Sequence, residues 1–159
     1  MPKYDFHALM EPLEFQRFAI DVIDVREKTN FEVFSEAKDL GIDAYKITKN
    51  GITIVVQAKR VKDFKSLFSI LKTDELPKIK KLNIDRYILI TSSTISKTQK
   101  SKILELLDPY VINSEDIIAK DDLNKYLTKE KYKEIELNYP SLWFNSANTF
   151  LKEMTDIVN

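Results

Sequence analysis

Asp43, Gln57 and Lys59 bring a carboxylate, an amide and an ammonium into one short stretch, Gly41 to Arg60, next to the apolar run Ile52-Thr53-Ile54-Val55-Val56. Burying such a trio beside so apolar a strand costs several kcal/mol for any charge left unpaired. A divalent cation offsets that cost. Asp43 offers a hard anionic oxygen, and the Gln57 amide oxygen and the Ala58 carbonyl can complete the protein's share of an inner shell. Water and a substrate phosphate would fill the rest, as Mg²⁺ or Mn²⁺ prefers. Lys59, held beside the ion, would orient or help deprotonate an attacking water and neutralise charge developing on the phosphate.

The element that must position these groups is a β-hairpin. Lys49-Asn50-Gly51 is a turn signal between two β-prone runs, Ile42 to Thr48 and Ile52 to Ala58. Two registers are open. A two-residue Asn50-Gly51 turn pairs Lys49 with Ile52, sets Asp43 opposite Ala58, and sends Gln57 and Lys59 to the other face. A three-residue loop, with Gly51 in the left-handed conformation, pairs Thr48 with Ile52 and sets Asp43 opposite Gln57. Only the second register gathers the trio, because residues two apart on a strand share a face and Lys59 then joins Asp43 and Gln57. Ile52, Ile54, Val56 and Ala58 form the opposite, apolar face, which calls for a covering helix.

Asp43, a spacer of thirteen residues and then Gln57-Ala58-Lys59 resemble the PD-(D/E)xK nuclease signature in its Mrr-like restriction endonuclease variant, where Gln replaces the second acid. The lead-in Asp39-Leu40-Gly41-Ile42-Asp43 resembles that family's Asp-Xaa-Gly-Ile-Asp. The resemblance implies an α/β fold, a restriction-endonuclease-like mixed β-sheet flanked by helices, and Mg²⁺-dependent hydrolysis of DNA phosphodiesters. Asp43, Gln57 and Ala58 would hold the metal, with Asp43, Gln57 and Lys59 catalytic. Mrr-like nucleases also carry a Phe-Glu pair on the first helix, whose Glu approaches the metal. Aligning Phe15 with that Phe puts Gln16 in the acid's place, and Glu14, the nearest acid, lies on the other border of the apolar stripe. Both are therefore candidates for a first-helix site residue.

With 159 residues and 43% hydrophobic content, the chain can form one well-cored domain. Lys+Arg and Asp+Glu are equal at 25 each, so a nucleic-acid partner must meet a local patch or the metal rather than an overall basic surface. Cysteine is absent, which excludes disulfides and thiolate metal sites and fits a reducing cytoplasm. No apolar run suffices for a membrane span, and Met1-Pro2-Lys3 opens no signal-peptide pattern. A cytoplasmic protein without membrane attachment is expected.

Along the chain, His7 falls in an irregular lead-in and is expected to be structural or exposed. Glu11 to Lys28 has a helical stripe of Phe15, Phe18, Ala19, Val22 and Val25. Phe31 to Ser35 is a short β run leading to the hairpin. After Arg60, the residues Val61, Phe64, Leu67, Phe68 and Leu71 recur at helical spacing, and Asp74 with Pro77 predicts a restarted helix. Arg60 and Lys62 are the nucleic-acid-binding candidates, fixed at the strand end, while the more distal lysines suit a solvated helix face. Arg86 to Ser93 is a central strand, with Thr91, Ser92 and Ser93 placed to contact phosphate or simply to turn the chain. Ser96 caps a helix running to Leu107. Tyr110 to Asn113 is the expected last strand of a sheet with a parallel crossover.

Residues 1–128 are expected to form the nuclease domain and 129–159 a helical tail. That tail resembles the segment joining an Mrr-like nuclease to the NTPase of bacterial STAND-type antiviral proteins. Phe144, Ala147, Phe150, Leu151 and Met154 make an apolar stripe on it. The resemblance implies an anti-phage effector acting on double-stranded DNA, active as a homo-oligomer, and followed by a C-terminal NTPase or sensor domain. The alternative is a catalytically silent nucleic-acid-binding or oligomerisation module, in which Gln16 and Gln57 leave too little negative charge for the metal. A purely structural domain, with Asp43 and Lys59 as an ordinary ion pair, is the third.

Overall fold

The computed structural model describes residues 4–33, 42–144 and 154–157. A short helix α1 (Phe6–Leu9) and a long α2 (Pro12–Glu27) precede a five-stranded sheet in the order β1-β2-β3-β4-β5. The strands are β1 (Glu32–Val33), β2 (Ala44–Ile47), β3 (Thr53–Lys59), β4 (Arg86–Thr91) and β5 (Ile117–Ile118). The first three pair antiparallel and β3, β4 and β5 pair parallel, so the sheet is mixed. Helices cover both faces, as a sheet buried on both sides requires.

One face is set by the even residues of β3. Ile54 and Val56 pack with Ile88, Ile90 and Ala44 against Phe15, Phe18, Ala19, Val22 and Ile23 of α2. The apolar stripe expected on the first helix is thus the stripe that meets the sheet. Pro12 opens α2, and Lys28 closes it in the left-handed conformation. The other face carries Val55, Tyr87 and Leu89, covered by α3 (Phe64–Ile70), α4 (Leu76–Lys81) and α5 (Lys97–Leu107). Ser96 caps α5 and forms a capping box with Gln99.

Four expectations change. His7 lies within α1 rather than in an irregular lead-in. Instead of a break and restart before Pro77, a π-helical turn, Leu71–Glu75, joins α3 to α4. Proline has no N–H and its ring clashes with the carbonyl four residues back, and the wider turn absorbs both problems without ending the helix. Tyr110–Asn113 is not a strand, although the Tyr110 carbonyl accepts the Tyr87 N–H at 2.9 Å; the fifth strand is Ile117–Ile118. Lastly, the core continues past residue 128. Tyr132, Ile135 and Leu142, from the turn Glu130–Tyr132, helix α7 (Lys133–Asn138) and the turn Pro140–Leu142, join Phe6, Phe15 and Phe18. Between β5 and these elements lies α6 (Lys120–Leu127), whose Asn124 side chain exchanges hydrogen bonds with the Tyr4 backbone. Of the tail stripe, Phe144 and Met154 are about half exposed, and Ala147, Phe150 and Leu151 lie outside the described residues.

Candidate active site

The hairpin adopts the three-residue loop. Ile47 faces Thr53 and Ala44 faces Val56, while Thr48 N–H donates to the Ile52 carbonyl at 2.9 Å. Gly51 has φ +81, the left-handed conformation that such a loop demands. One step beyond the last ladder pair, Ala44 with Val56, Asp43 leaves the regular ladder: its N–H also turns to the Val56 carbonyl, at 3.3 Å, which sets it beside Gln57. Its carboxylate folds back, and Oδ2 accepts the Ala58 N–H at 2.7 Å. Backbone direction alternates along a strand, so Ala58, like Val56, turns its carbonyl toward the β2 edge, on the same side as Asp43.

Alternation puts Gln57 and Lys59 on the Val55 and Tyr87 face, away from α2, and the charges that act on the Asp43 carboxyl, Lys59, Glu75 and Lys78, belong to that face too. Gln57 is 5% exposed, and its Oε1 is buried with no hydrogen-bond partner. An orphaned acceptor of this kind costs about 1–3 kcal/mol.

Lys59 has a partner that the spacing of residues around the motif does not announce. Its Nζ lies 2.9 Å from Oε2 of Glu75, which is 2% exposed at the end of the π-helical turn. Lys78 Nζ reaches the same oxygen at 2.9 Å, and the Tyr87 hydroxyl lies 3.4 Å from Oε1. The turn explains why a glutamate is here. Leu67, Leu71, Glu75 and Ile79 are all buried at steps of four, whereas on an ideal α-helix each such step drifts by roughly 40°. Widening one turn reduces the drift and keeps Glu75 in line with the apolar residues facing the sheet. That ladder, with one acid in it, is the sequence signal by which Glu75 could have been found.

Burial pushes the Asp43 carboxyl above its ordinary value, and nearby Glu75 adds to the rise. The Ala58 N–H and the Lys59 and Lys78 ammoniums oppose it without cancelling it. Burial, then Glu75 and Asp43, likewise push the Tyr87 hydroxyl well up. Asp43 therefore sits where its charge is disfavoured.

The remaining candidates are placed as follows. Gln16 and Glu14 are half-buried on α2, which packs on the opposite sheet face, and neither has a hydrogen bond or ion pair with Asp43, Gln57 or Lys59. Glu14 instead belongs to the surroundings of Tyr139, with Asp21 and Arg17. Arg60 is committed to architecture: Nε donates to the Met10 carbonyl at 2.6 Å and Nη2 to the His7 carbonyl at 2.8 Å, tying α1 to the end of β3. Lys62 is exposed. Ser92 and Ser93 both spend their hydroxyls on the Val61 carbonyl at 2.7 Å, and Thr91 accepts the Ser93 N–H. Among the described residues no group of three or more His, Cys, Asp or Glu side chains could hold a metal.

A polar cleft of about 570 Å³ lies elsewhere, lined by Arg26, Glu27, Arg86 and Asp116 among others. Arg86 begins β4 opposite Ile54, whereas Lys59 pairs with Thr91, so the cleft is at the other end of the sheet. Its arginines are bound to Glu27 and Asp116 at 2.6–3.1 Å, which identifies a structural clamp rather than an open anion site. Among the described residues no helix is long and apolar enough to cross a membrane.

No protein-family model matches the chain, and no solved structure matches it. It is 32% identical over 159 residues to an uncharacterized protein, y4cD, of Sinorhizobium fredii (strain NBRC 101917 / NGR234), an alignment covering 98% of this chain and 24% of that protein. The chain spans about a quarter of the length of the curated relative it matches.

Proposed function

We propose that this chain is a restriction-endonuclease-like domain of the PD-(D/E)xK, Mrr-like type that hydrolyses DNA phosphodiester bonds with Mg²⁺ or Mn²⁺. The observation that carries the proposal is the Asp43 carboxylate held on the Ala58 N–H within reach of the Lys59 charge, next to a Gln57 whose Oε1 is buried and unpartnered. The residues fit the ion. Asp43, Gln57 and the Ala58 carbonyl are hard oxygen donors at one strand end, suited to a cation that keeps several waters. When bound, the metal supplies Lewis-acid polarisation of the phosphate and a more acidic water.

The chain's own residues do the rest. The Ala58 N–H fixes one Asp43 oxygen and leaves the other available. Lys59 places a positive charge beside the scissile phosphate, where negative charge grows in the transition state. Double-stranded DNA is the proposed substrate, with Lys62 touching its backbone. Because a single site cuts one strand, assembly of copies would be needed to break a duplex, and an anti-phage effector switched by a C-terminal NTPase or sensor domain fits such a requirement.

One observation favours a second reading, a silent nucleic-acid-binding or assembly module: Gln57 is neutral and Lys59 is held by Glu75. Plasmid cleavage by the parent, Asp43→Ala and Lys59→Ala, over a range of protein concentrations with Mg²⁺, Mn²⁺ or EDTA, separates the two. Metal-dependent cutting that both substitutions abolish supports the nuclease. DNA binding by a parent that never cuts would shift the conclusion to the silent module.

A further inference from the structure

Glu75 Oε2 is contacted by two ammonium groups at the same distance, Lys59 Nζ and Lys78 Nζ each at 2.9 Å, while its side chain is only 3% exposed. A carboxylate so deeply buried is strongly destabilising once its partner is removed. With Lys59 as sole partner, the pair would be locked together, since any movement of Lys59 toward a substrate would leave Glu75 bare. Tyr87 does not solve this, because its hydroxyl is 3.4 Å from the other oxygen, long for a hydrogen bond between oxygens. Lys78 does. It sits three residues after Glu75, across the junction of the π-helical turn and α4, and its side chain is 37% exposed against 19% for Lys59. The more accessible lysine is therefore the one anchored beside the acid, and the less accessible one comes from β3, next to Asp43 and Gln57.

We propose that Glu75 is a shared positioning carboxylate, holding Lys59 beside Asp43 and Gln57, and that Lys78 is the standby counter-ion that keeps Glu75 paired when Lys59 turns to a phosphate. The final step rests on the nuclease reading; the sharing of Glu75 does not. Asp43 and Glu75 thus share their surroundings with the Lys59 and Lys78 ammoniums. Lys59 can then change partners inside the cluster without exposing a buried charge.

The deciding experiment is a mutant cycle read by thermal unfolding. Lys59→Met, Lys78→Met and the double variant are compared in the parent and in a Glu75→Gln background. Either single variant leaves one ammonium on Glu75 and should lower Tm by only a few degrees, about what a loss of one partly exposed pair produces. The double variant should lose more than about twice the sum of the singles, and Glu75→Gln should erase that excess by removing the stranded charge. Additive losses in both backgrounds would overturn the proposal, whether or not the protein cuts DNA. In cleavage assays Lys78→Met should lower kcat by about tenfold or more with KM unchanged, and Lys78→Arg should restore it. Unaltered kcat in Lys78→Met would overturn the standby role. A non-additive cycle in a protein that cuts no nucleic acid would leave the shared carboxylate standing and sink the nuclease reading alone.

Discussion

The carboxylate of Asp43 accepts the backbone N–H of Ala58 at 2.7 Å, extending the hairpin by side chain where the backbone ladder ends. The same bond fixes the acid in a place where burial raises its pKa above the ordinary 3.8.

Stability should therefore depend on pH in a definite sense. Between 3.8 and the raised value, the folded state holds a proton on Asp43 that the unfolded chain has released. The contribution of Asp43 is full below 3.8 and is lost as pH rises through the folded value, after which it stays flat. Asp43→Asn keeps an acceptor for Ala58 and carries no charge. In urea unfolding at pH 7 it should be more stable than the parent by about 1 kcal/mol, with the gap closing in acid. It should also have lost metal-dependent cleavage. A variant no more stable than the parent at pH 7 would show that the Asp43 charge is already compensated.

Gln57 predicts a second trade between stability and function. Gln57→Met fills the same volume without the orphaned oxygen and should gain about 1 kcal/mol, seen as a Tm rise of about 2–4 °C. Gln57→Glu adds an acid beside Asp43 and should cost about 1–3 kcal/mol in EDTA. Mn²⁺ should then raise the Tm of Gln57→Glu more than that of the parent, because two carboxylates bind a hard cation better than one. Equal Mn²⁺ shifts in both proteins would remove position 57 from the metal site.

Gly51 tests the register. Nothing lies within 4 Å of a Cβ built there, so Gly51→Ala meets no steric obstacle and pays only for φ +81. The expected loss is about 1 kcal/mol by thermal or urea unfolding. Gly51→Asn, which tolerates the left-handed region, should recover much of it. If Gly51→Ala proves neutral, the loop has an alternative form and the register that brings Asp43 to the Ala58 N–H is not pinned by it.

The hairpin and its trio were legible because alternation and a turn signal are local properties. The choice between registers was not, since both turns suit Asn50-Gly51 and the decision rests on what the two faces then pack against. Glu75 escaped because an acid within an apolar ladder reads as a helix border until the π-helical turn brings it inward. The last strand was misplaced for a similar reason. Val111 is buried but Ile112 is 80% exposed, whereas Ile117 and Ile118 are both buried behind a turn whose Asp116 is held by Arg26 and Arg86. Position 128 looked like a boundary because Tyr132, Ile135 and Leu142 are scattered among charged residues, and only the folded chain shows them sharing a core with Phe18.

Arg60 and Lys62, two residues apart and both cationic, should separate completely. Arg60 gives two short hydrogen bonds to carbonyls of the α1 region, so Arg60→Met should cost about 2–3 kcal/mol in unfolding free energy. It should leave the salt dependence of DNA binding unchanged, since a guanidinium spent on the backbone displaces no counterions. Lys62 is exposed, and Lys62→Met should alter stability by less than about 0.5 kcal/mol. If it touches a phosphate, the slope of log affinity against log salt should fall by about 1. Binding titrations at several salt concentrations on both variants, beside their melting curves, make the comparison. A slope change in Arg60→Met without loss of stability would mean that the clamp on α1 opens when nucleic acid binds.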